Sequence, residues 1–403
     1  MTHVVVIGAG QAGSSLVAKL RNSGFEGRIT LIGAEAVPPY QRPPLSKAYL
    51  LGDMVLDRLF LRPESFYAEH DIDLRLNQHV TAIDAAARTI TVNNEVLGYD
   101  HLVLTTGSIP RRLPASIGGT LDGVFVVRDL VDVNAMAPHV VQGRRALIVG
   151  GGYIGLEAAA VAAKRGLSVT LVEMADRILQ RVAAPETSDY FRALHQSHGV
   201  TIREGVGLER LLGDDRVTGA RLTDGTELAL DLVIVGVGIA PATALAETAG
   251  IEIENGIKTD AQGRTSDPAI WAAGDCASFP WRGGRIRLES VPHAIDQAEC
   301  VAENIMGASR NYEAKPWFWS DQYDIKLQIA GLNTGYDRVV KRPGDKPGSQ
   351  SMWYFSASTL LAVDAMNDPR AYMIGKRLIE GGQSPAPETV GNPDIPLKSL
   401  LPA

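Results

Sequence analysis

Short apolar runs that lead into glycine-rich turns recur along this chain. The first, residues 4–7, is mostly β-branched and lacks polar alternation, which is typical of a strand buried on both faces. It leads directly into the glycine-rich residues 8–13, after which apolar residues recur at helical spacing until Asn22. Another apolar run, residues 29–32, ends close to Glu35. The pattern predicts a strand–helix–strand unit with a glycine turn where its first strand meets its helix.

Each glycine of this first turn has its own physical reason. Gly8 permits the tight turn, Gly10 allows the backbone to approach a pyrophosphate, and Gly13 lets the helix pack closely on the strand. The helix N-terminus then offers free N–H groups to an anion. Glu35 follows Gly13 by 22 residues, close to the spacing of a carboxylate that binds a ribose. The unit therefore predicts a dinucleotide site; the alternative is a turn that binds nothing.

The same pattern recurs in the middle of the chain. Residues 146–149 lead into a turn with Gly150, Gly152 and Gly155, and the next apolar run ends at Glu173, 18 residues after the last glycine. Two such units predict two dinucleotide sites, the alternative being one site and one relic. A carboxylate at Glu173 would accept hydrogen bonds from both ribose hydroxyls and repel a 2′-phosphate, which favours NADH over NADPH.

The composition of the 403 residues excludes several classes of protein. At roughly 100–200 residues per domain, the length predicts two to four domains. Hydrophobic residues at 45% and charged residues at 21% exclude general disorder. A net charge of −7 argues against nucleic-acid binding, and the apolar runs are too short for a signal peptide or a membrane span. We therefore expect a soluble cytoplasmic protein whose partners include neither nucleic acid nor membrane.

Further segments identify a family. Residues 102–110 and 232–241 each show a strand followed by a turn, and a Gly-Asp pair that ends at Asp275 follows a third apolar run, where its carboxylate would suit the ribityl chain of FAD. Together with residues 43–50, 289–292 and 316–322, these motifs resemble those of the FAD- and NADH-dependent ferredoxin reductases of bacterial oxygenase systems. The resemblance covers essentially the whole chain.

The resemblance implies an α/β fold with two Rossmann-like dinucleotide-binding domains, similar to glutathione reductase, and a C-terminal α+β domain. The implied FAD domain is residues 1–110 with 243–320, the NADH domain is 111–242, and the C-terminal domain is 321–403. Within the last, we expect a helix over residues 370–380 and a proline-rich tail, residues 385–396, that is extended over the surface.

The resemblance also implies which residues contact each cofactor. FAD contacts are expected at Gly8, Gly10, Ala12, Gly13, Glu35, Arg42, Lys47, Val80, Arg128, Asp275, Val291 and Trp319. NAD(H) contacts are expected at Gly150, Gly152, Tyr153, Ile154, Gly155, Glu173 and Gly238. His293 stands where we expect an amide side chain.

Lys47 and Glu157 are the candidate catalytic pair. The resemblance places the Lys47 ammonium beside the flavin ring, with Glu157 as its partner. The alternatives are a solvated lysine at position 47 and, at 157, an acid favoured by the dipole of its helix. Trp319 is expected at the flavin edge that faces the electron acceptor and Trp317 in the core, although aromatic residues of this kind are usually all core.

The two cysteines, Cys276 and Cys300, decide how electrons would leave the flavin. Relatives that pass electrons through sulfur carry a cysteine soon after the second strand, whereas residues 42–47 contain none. Two distant cysteines form neither a Cys-x-x-Cys pair nor a cluster, so we expect both to be buried small apolar residues. Electrons would then pass directly to an external carrier, which the resemblance implies is a [2Fe–2S] ferredoxin that serves a haem monooxygenase.

Three alternatives remain open from the sequence. The acceptor could belong to a ring-hydroxylating dioxygenase or a rubredoxin system, or the protein could be an NADH-sensing flavoprotein similar to apoptosis-inducing factor. An NADH oxidase or peroxidase would need a redox cysteine beside the flavin. For a ferredoxin docking surface the candidates are basic residues: Arg310, Lys315, Lys326, Arg338, Lys341, Arg342 and Lys346. No metal site is expected, because His195 and His198 fit a solvated helix face better.

Overall fold

A computed structural model describes residues 1–402 of the chain, which divides into two compact units. Unit 1 consists of Met1–Arg42, Val55–Ile109 and Ile239–Pro316. Unit 2 consists of Pro43–Met54, Pro110–Gly238 and the chain from Trp317 onward. The short strands Ser108–Pro110 and Ile239–Pro241 lie where the chain leaves unit 1 and where it returns.

A parallel five-stranded sheet forms the centre of unit 1. Its strands, in spatial order, are Ile270–Ala272, His101–Leu104, His3–Ile7, Arg28–Ile32 and Ile72–Arg75. The strand His3–Ile7 is buried along its whole length, as its unbroken apolar run predicts. The helices Gln11–Asn22 and Val291–Ile305 pack against each other beside this sheet.

Smaller elements complete unit 1. One antiparallel and one mixed three-stranded ribbon and a few short helices surround the parallel sheet. The ribbons are Val80–Asp84, Thr89–Val92 and Glu95–Gly98, and Ala277–Trp281 with Gly284–Ile286 and the parallel strand Ile257–Lys258. The short helices are Leu56–Arg58, Glu64–Glu69 and Ala244–Thr248.

A second parallel five-stranded sheet lies in unit 2. Its strands, in spatial order, are Thr201–Glu204, Ser168–Glu173, Arg145–Val149, Leu232–Val235 and Val124–Phe125. The helix Tyr153–Lys164 follows the strand Arg145–Val149 along the chain, and the helix Pro185–Ser197 follows Ser168–Glu173. Leu208–Leu212, Gly219–Leu222 and Glu227–Ala229 form an antiparallel ribbon. The two strand–helix–strand units predicted from the sequence are therefore both present.

The C-terminal part of unit 2 is an antiparallel sheet with helices. Its strands, in spatial order, are Trp317–Gln322, Ile325–Gly331, Thr359–Met366, Gln350–Ser356 and Arg338–Pro343. The helices of this part are Pro369–Glu380, Pro387–Gly391 and Leu397–Leu400; shorter helices elsewhere in unit 2 are Leu45–Tyr49, Ala115–Ile117, Leu130–Met136 and Ala137–His139. The helix predicted over residues 370–380 is thus present.

Arg342 corrects two expectations about this part of the chain. Arg342 is only 5% exposed, and its guanidinium donates to the carbonyl oxygens of Val390, Asn392 and Ile395 at 2.8, 2.8 and 2.6 Å. Arg342 is therefore no part of a docking surface. The tail is not simply extended either, because it contains the helix Pro387–Gly391 and is held by this guanidinium. The sequence could not show that a distant arginine replaces water as the donor to these carbonyls.

Arg342→Met should release the tail. Because hydrogen bonds to a charged donor contribute about 1.5–3 kcal/mol each and the carbonyls would be left unsatisfied, we expect the free energy of unfolding to fall by roughly 3 kcal/mol. Amide hydrogen exchange should rise over residues 385–400. Arg338→Gln is the matched control on the same strand, because it breaks the exposed ion pair with Glu388 and should cost much less stability than Arg342→Met. Equal losses for both variants would contradict this role.

A buried carboxylate joins the C-terminal sheet to the helix Pro185–Ser197. Asp364 is 1% exposed and accepts hydrogen bonds from the Thr187 hydroxyl at 2.9 Å and from the Tyr354 hydroxyl, which in turn accepts from the Ala184 N–H at 3.0 Å. Burial raises the pKa of Asp364 from 3.8 to about 6, although the two hydroxyl groups partly oppose the shift. Its ionised form is therefore disfavoured in the folded protein.

Asp364→Asn should change how stability depends on pH. A carboxyl group whose pKa is raised by folding stabilises the fold below its unfolded pKa, and this contribution is lost as the pH rises through the folded pKa. Relative to the asparagine variant, the natural protein should lose roughly 2.5 kcal/mol of unfolding free energy between pH 4 and pH 8. Urea unfolding of both proteins across that range measures the difference, and parallel curves would refute it.

Candidate functional site

The first and third glycines of each turn are required by the protein's own packing. A Cβ on Gly8 would lie 2.2 Å from the Thr105 carbonyl oxygen, and Gly8 has a φ of +116°. A Cβ on Gly13 would lie 2.1 Å from the Gly8 carbonyl oxygen. The second turn repeats this geometry, because a Cβ on Gly155 would lie 2.0 Å from the carbonyl oxygen of Gly150. The tight turn and the close helix packing that the sequence predicts for these glycines are therefore present in both turns.

The middle glycine of each turn has no such reason. A Cβ on Gly10 or on Gly152 would meet no atom within 4 Å. Both residues have extended backbone angles that any residue can adopt, and each precedes a helix as its N-cap without a side-chain hydrogen bond. The space above these glycines and the helix N–H groups behind it fit the approach of a pyrophosphate in both units.

Glu35 lies beside the first turn. A Cβ on Gly33 would lie 2.7 Å from the Cβ of Ala9, so the end of the second strand is close to the turn. The Glu35 carboxylate accepts hydrogen bonds from the Arg42 guanidinium at 2.6 Å and from the Tyr40 hydroxyl. Tyr40 is a partner that the sequence did not indicate. These two hydrogen bonds hold the carboxylate beside the first turn, and its contact with a ribose stays a prediction.

Val80 belongs to the same edge of unit 1. The N–H groups of Asn77 and Gln78 donate to the carbonyl oxygens of Glu35 and Gly33, each at 2.9 Å. These bonds tie the segment before the half-buried Val80 to the end of the second strand.

Asp275 also approaches the first turn. A Cβ on Gly274 would lie 3.1 Å from the Cβ of Ala12, and the Asp275 carboxylate accepts a hydrogen bond from the Ser108 hydroxyl at 2.9 Å. The helix that begins at Val291 reaches this loop, because the side-chain carbonyl of Gln297 accepts from the Gly274 N–H at 2.9 Å. The predicted FAD residues of unit 1 thus converge from distant parts of the sequence.

Among residues 1–402, two buried polar atoms near Gly274 have no hydrogen-bond partner. They are Nε2 of His293 and Nε2 of Gln297. His293 packs flat on Phe279 and its Nδ1 lies 2.9 Å from the Tyr312 hydroxyl. Burial lowers the pKa of His293 to about 3, so the ring is neutral. Its position in the sequence gave no sign of this burial.

In unit 2, Glu173 is oriented by the second turn itself. Its two carboxylate oxygens accept hydrogen bonds from the N–H groups of Gly151 and Ala175, at 2.7 and 2.8 Å. Arg177, the first basic residue after Glu173, donates to the Ser188 hydroxyl at 2.6 Å. The geometry fits a ribose with two free hydroxyls better than one that carries a phosphate.

The other predicted NAD(H) residues surround this turn. Ile154 is 43% exposed, while the buried Tyr153 hydroxyl has no hydrogen-bond partner in the part of the chain that the structure describes. The strand Leu232–Val235 is followed by Gly236, which approaches the backbone of Gly155. Gly238 comes two residues later and has a φ of +98°.

Lys47 and Glu157 form an ion pair. The Lys47 ammonium lies 3.0 Å from Oε1 of Glu157 and 3.7 Å from the Asp321 carboxylate. Glu157 is 7% exposed and accepts further hydrogen bonds from the hydroxyls of Ser320, at 2.8 Å, and Ser46, at 3.4 Å. Burial raises the pKa of Glu157, and the Lys47 ammonium and Ser320 partly oppose the rise. Asp321 and the two serines are residues that the sequence argument missed.

The remaining site predictions have mixed outcomes. Arg128 and Trp319 lie in unit 2, and their contact with FAD stays a prediction. Trp317 packs against the Tyr372 ring and Trp319, at centroid distances of 6.3 and 5.5 Å, in agreement with a packing role. The prediction for His195 was wrong: this residue is fully buried because it faces the C-terminal sheet.

Both cysteines are buried and free. The Cys276 sulfur lies 3.4 Å from the Leu104 carbonyl oxygen, and that of Cys300 lies 3.5 Å from the Arg310 carbonyl oxygen. Burial raises the pKa of the Cys276 thiol, which disfavours the reactive thiolate. The prediction that both are buried is confirmed.

Comparison with known proteins identifies the family. Residues 2–298 match the profile of the pyridine nucleotide-disulphide oxidoreductases. The chain belongs to this family. Residues 317–401 match the C-terminal domain described as "Reductase C-terminal". Family membership confirms the prediction of an oxidoreductase with the predicted fold, and FAD and NAD(P)H are the cofactors of the family.

Among its relatives, this oxidoreductase is 42% identical to the "5,5′-dehydrodivanillate O-demethylase ferredoxin reductase subunit" of Sphingobium, over 99% of this chain and 98% of that protein. It is 40% identical to the putidaredoxin reductase of Pseudomonas putida, over 100% and 97%. A crystal structure of the covalent putidaredoxin reductase–putidaredoxin complex superimposes with a TM-score of 0.95 at 39% identity, covering 99% and 98%. The resemblance found in the sequence is confirmed.

Within residues 1–402, no helix combines the length and apolar character needed to cross a bilayer. The same residues contain no group of three or more His, Cys, Asp or Glu side chains arranged to hold a metal ion.

Proposed function

We propose that this chain is an NADH-dependent ferredoxin reductase that acts in the cytoplasm. Bound FAD would accept a hydride from NADH and release the two electrons one at a time to a [2Fe–2S] ferredoxin. The full-length identity of 40% or more to relatives named as ferredoxin or putidaredoxin reductases carries this proposal. A haem monooxygenase is the terminal oxygenase that we propose, as in the sequence-based prediction.

In this proposal the two glycine turns bind different cofactors. In unit 1, Gly10 would admit the FAD pyrophosphate, and Glu35 and Asp275 would accept hydrogen bonds from hydroxyl groups of FAD. In unit 2, Gly152 and Glu173 would hold NADH in the same manner. Arg42, already paired with Glu35, would add positive charge near the FAD phosphates. Lys47 would place an ammonium near the flavin, held by Glu157.

The burial of both cysteine thiols supports a path in which electrons leave the flavin without passing through sulfur. Cys276 and Cys300 are 0% exposed and are hydrogen-bonded to carbonyl oxygens, so neither is available for exchange with a partner disulfide. The chemistry of the chain therefore favours a one-electron carrier that takes its electrons from the flavin itself.

Anaerobic reduction of three acceptors by NADH tests this proposal. With catalytic amounts of the protein, putidaredoxin should be reduced rapidly, with two ferredoxins reduced for each NADH consumed. Rubredoxin should be reduced more slowly, and a small disulfide not at all. Rapid disulfide reduction, or a reduced flavin that none of the three acceptors reoxidises, would contradict the proposal; the latter result would favour the NADH-sensing alternative.

A further inference from the structure

A line of buried polar side chains leads away from Glu157 within unit 2. Ser320 and Gln322 point to the same side of the strand Trp317–Gln322, because alternate residues of a strand share a face. Both are 0% exposed, and so is His195 on the facing helix. All three side chains are polar but uncharged, so an ion pair does not account for their burial. Their polarity therefore needs a reason in hydrogen bonding.

The hydrogen bonds of this line all follow from the charge on Glu157. An ionised carboxylate can only accept, so the Ser320 hydroxyl donates to it across 2.8 Å. Since that hydroxyl has only one proton, it must accept from Gln322, whose Nε2 lies 3.1 Å away. The amide is thereby oriented with its oxygen toward His195.

The orientation of the amide then fixes the histidine. The side-chain oxygen of Gln322 lies 2.8 Å from Nε2 of His195 and can only accept, so Nε2 carries the proton. Nδ1 is then free to accept from the Tyr323 hydroxyl at 3.3 Å. The neutral ring agrees with the effect of burial, which lowers the pKa of His195 to about 4.

We propose that Gln322 and His195 are positioning residues that hold Glu157 ionised, and Lys47 in place, through a chain of hydrogen bonds directed toward Glu157. Each donor in the chain points the positive end of its dipole at the carboxylate, and such bonds strengthen one another in a buried environment. An amide does not readily relay a proton, so the chain orients charge rather than conducting protons. Its value for catalysis rests on the proposed function, in which Lys47 acts near the flavin.

Other charged groups also face this carboxylate. Lys47 approaches from the segment Leu45–Tyr49, and Asp321 approaches from the same strand as Ser320, with its own carboxylate 3.6 Å from the Lys326 ammonium. These groups remain in place when a substitution at Gln322 interrupts the chain of hydrogen bonds. A variant at that position therefore separates the effect of the hydrogen bonds from the effect of the charged groups.

Gln322→Met is the test, because methionine keeps the approximate volume and removes both hydrogen-bonding groups. In the FAD-bound protein with 13C-labelled glutamate carboxyls, assigned with Glu157→Gln, the titration midpoint of Glu157 should rise by about one pH unit, a tenfold change in its ionisation equilibrium. In stopped-flow reduction of the flavin by NADH, the acidic limb of the pH–rate profile should move upward by a similar amount, with rates above pH 8 within about twofold of the natural protein.

Thr187→Val is the matched control, since it removes a buried hydrogen bond between the same helix and the same sheet but lies outside the chain. It should leave the Glu157 titration and the acidic limb unchanged. The proposal is overturned if Gln322→Met leaves the Glu157 midpoint where it is, or moves it no further than Thr187→Val does. A moved midpoint with an unmoved acidic limb would remove the catalytic role. The titration needs no turnover, so it remains decisive even if NADH fails to reduce the flavin, a failure that would count against the proposed function alone.

Discussion

Gly10→Thr should yield a folded protein that has lost its FAD. Threonine is about as good an N-cap as glycine, the backbone angles suit it, and its Cβ would meet no protein atom within 4 Å. The same side chain would occupy the space into which the pyrophosphate must come. We expect FAD affinity to fall by more than about 100-fold, equivalent to roughly 3 kcal/mol. The flavin-to-protein ratio after purification and the far-ultraviolet circular dichroism measure the two effects.

Two other substitutions make this result specific. Gly152→Thr, at the equivalent place in unit 2, should leave the protein yellow but prevent reduction of its flavin by NADH. Gly98→Thr lies in open surroundings on a surface ribbon, where a Cβ would meet only the Arg88 carbonyl oxygen at 3.9 Å, and should change neither property. A Gly10→Thr protein that retains a full complement of FAD would show that the first turn holds no pyrophosphate.

Glu173→Ala should reverse the preference between the two nicotinamide coenzymes. The variant would remove the two charge-assisted hydrogen bonds to the ribose that the proposed function gives to Glu173, of about 1.5–3 kcal/mol each, so the KM for NADH should rise by about 100-fold or more. The KM for NADPH should fall, because the repulsion between the carboxylate and the 2′-phosphate disappears. Steady-state reduction of putidaredoxin with each coenzyme measures both values.

The opposite directions of these two changes provide an internal control. Glu173 also accepts from the N–H groups of Gly151 and Ala175, so its loss could loosen the turn. A loosened turn would weaken both coenzymes together. Parallel increases in both KM values would therefore assign Glu173 a structural role only, and unchanged values would remove it from the site.

The local sequence predicted the strand–helix–strand unit and the glycine turn of each sheet, but not the edge strands Ile72–Arg75, Val124–Phe125 and Thr201–Glu204. These features depend on neighbours within about 30 residues: a buried strand, a turn that only glycine can make, and a helix that must pack closely. The Lys47–Glu157 pair was reached only through the family resemblance, because 110 residues separate its members in the sequence. No local pattern encodes such a distance.

The errors have a common physical cause. His195 and Arg342 are polar residues whose spacing suggests a solvated surface, yet each is buried against a distant segment that satisfies its hydrogen bonds. The same applies to Gln322 and Asp364, which no sequence argument singled out. The burial of such polar residues depends on hydrogen-bond partners that are distant in the sequence, so it can be recognised only in the tertiary structure.

The direct passage of electrons from the flavin to an external one-electron carrier is the main feature of the proposed function. Its most direct test is the thiol-free variant Cys276→Ser/Cys300→Ser, reduced anaerobically by NADH and mixed with oxidised putidaredoxin in a stopped-flow instrument. We expect ferredoxin reduction to proceed within about twofold of the natural rate, because neither sulfur takes part. A variant that still binds FAD and is still bleached by NADH, but no longer reduces the ferredoxin, would contradict it.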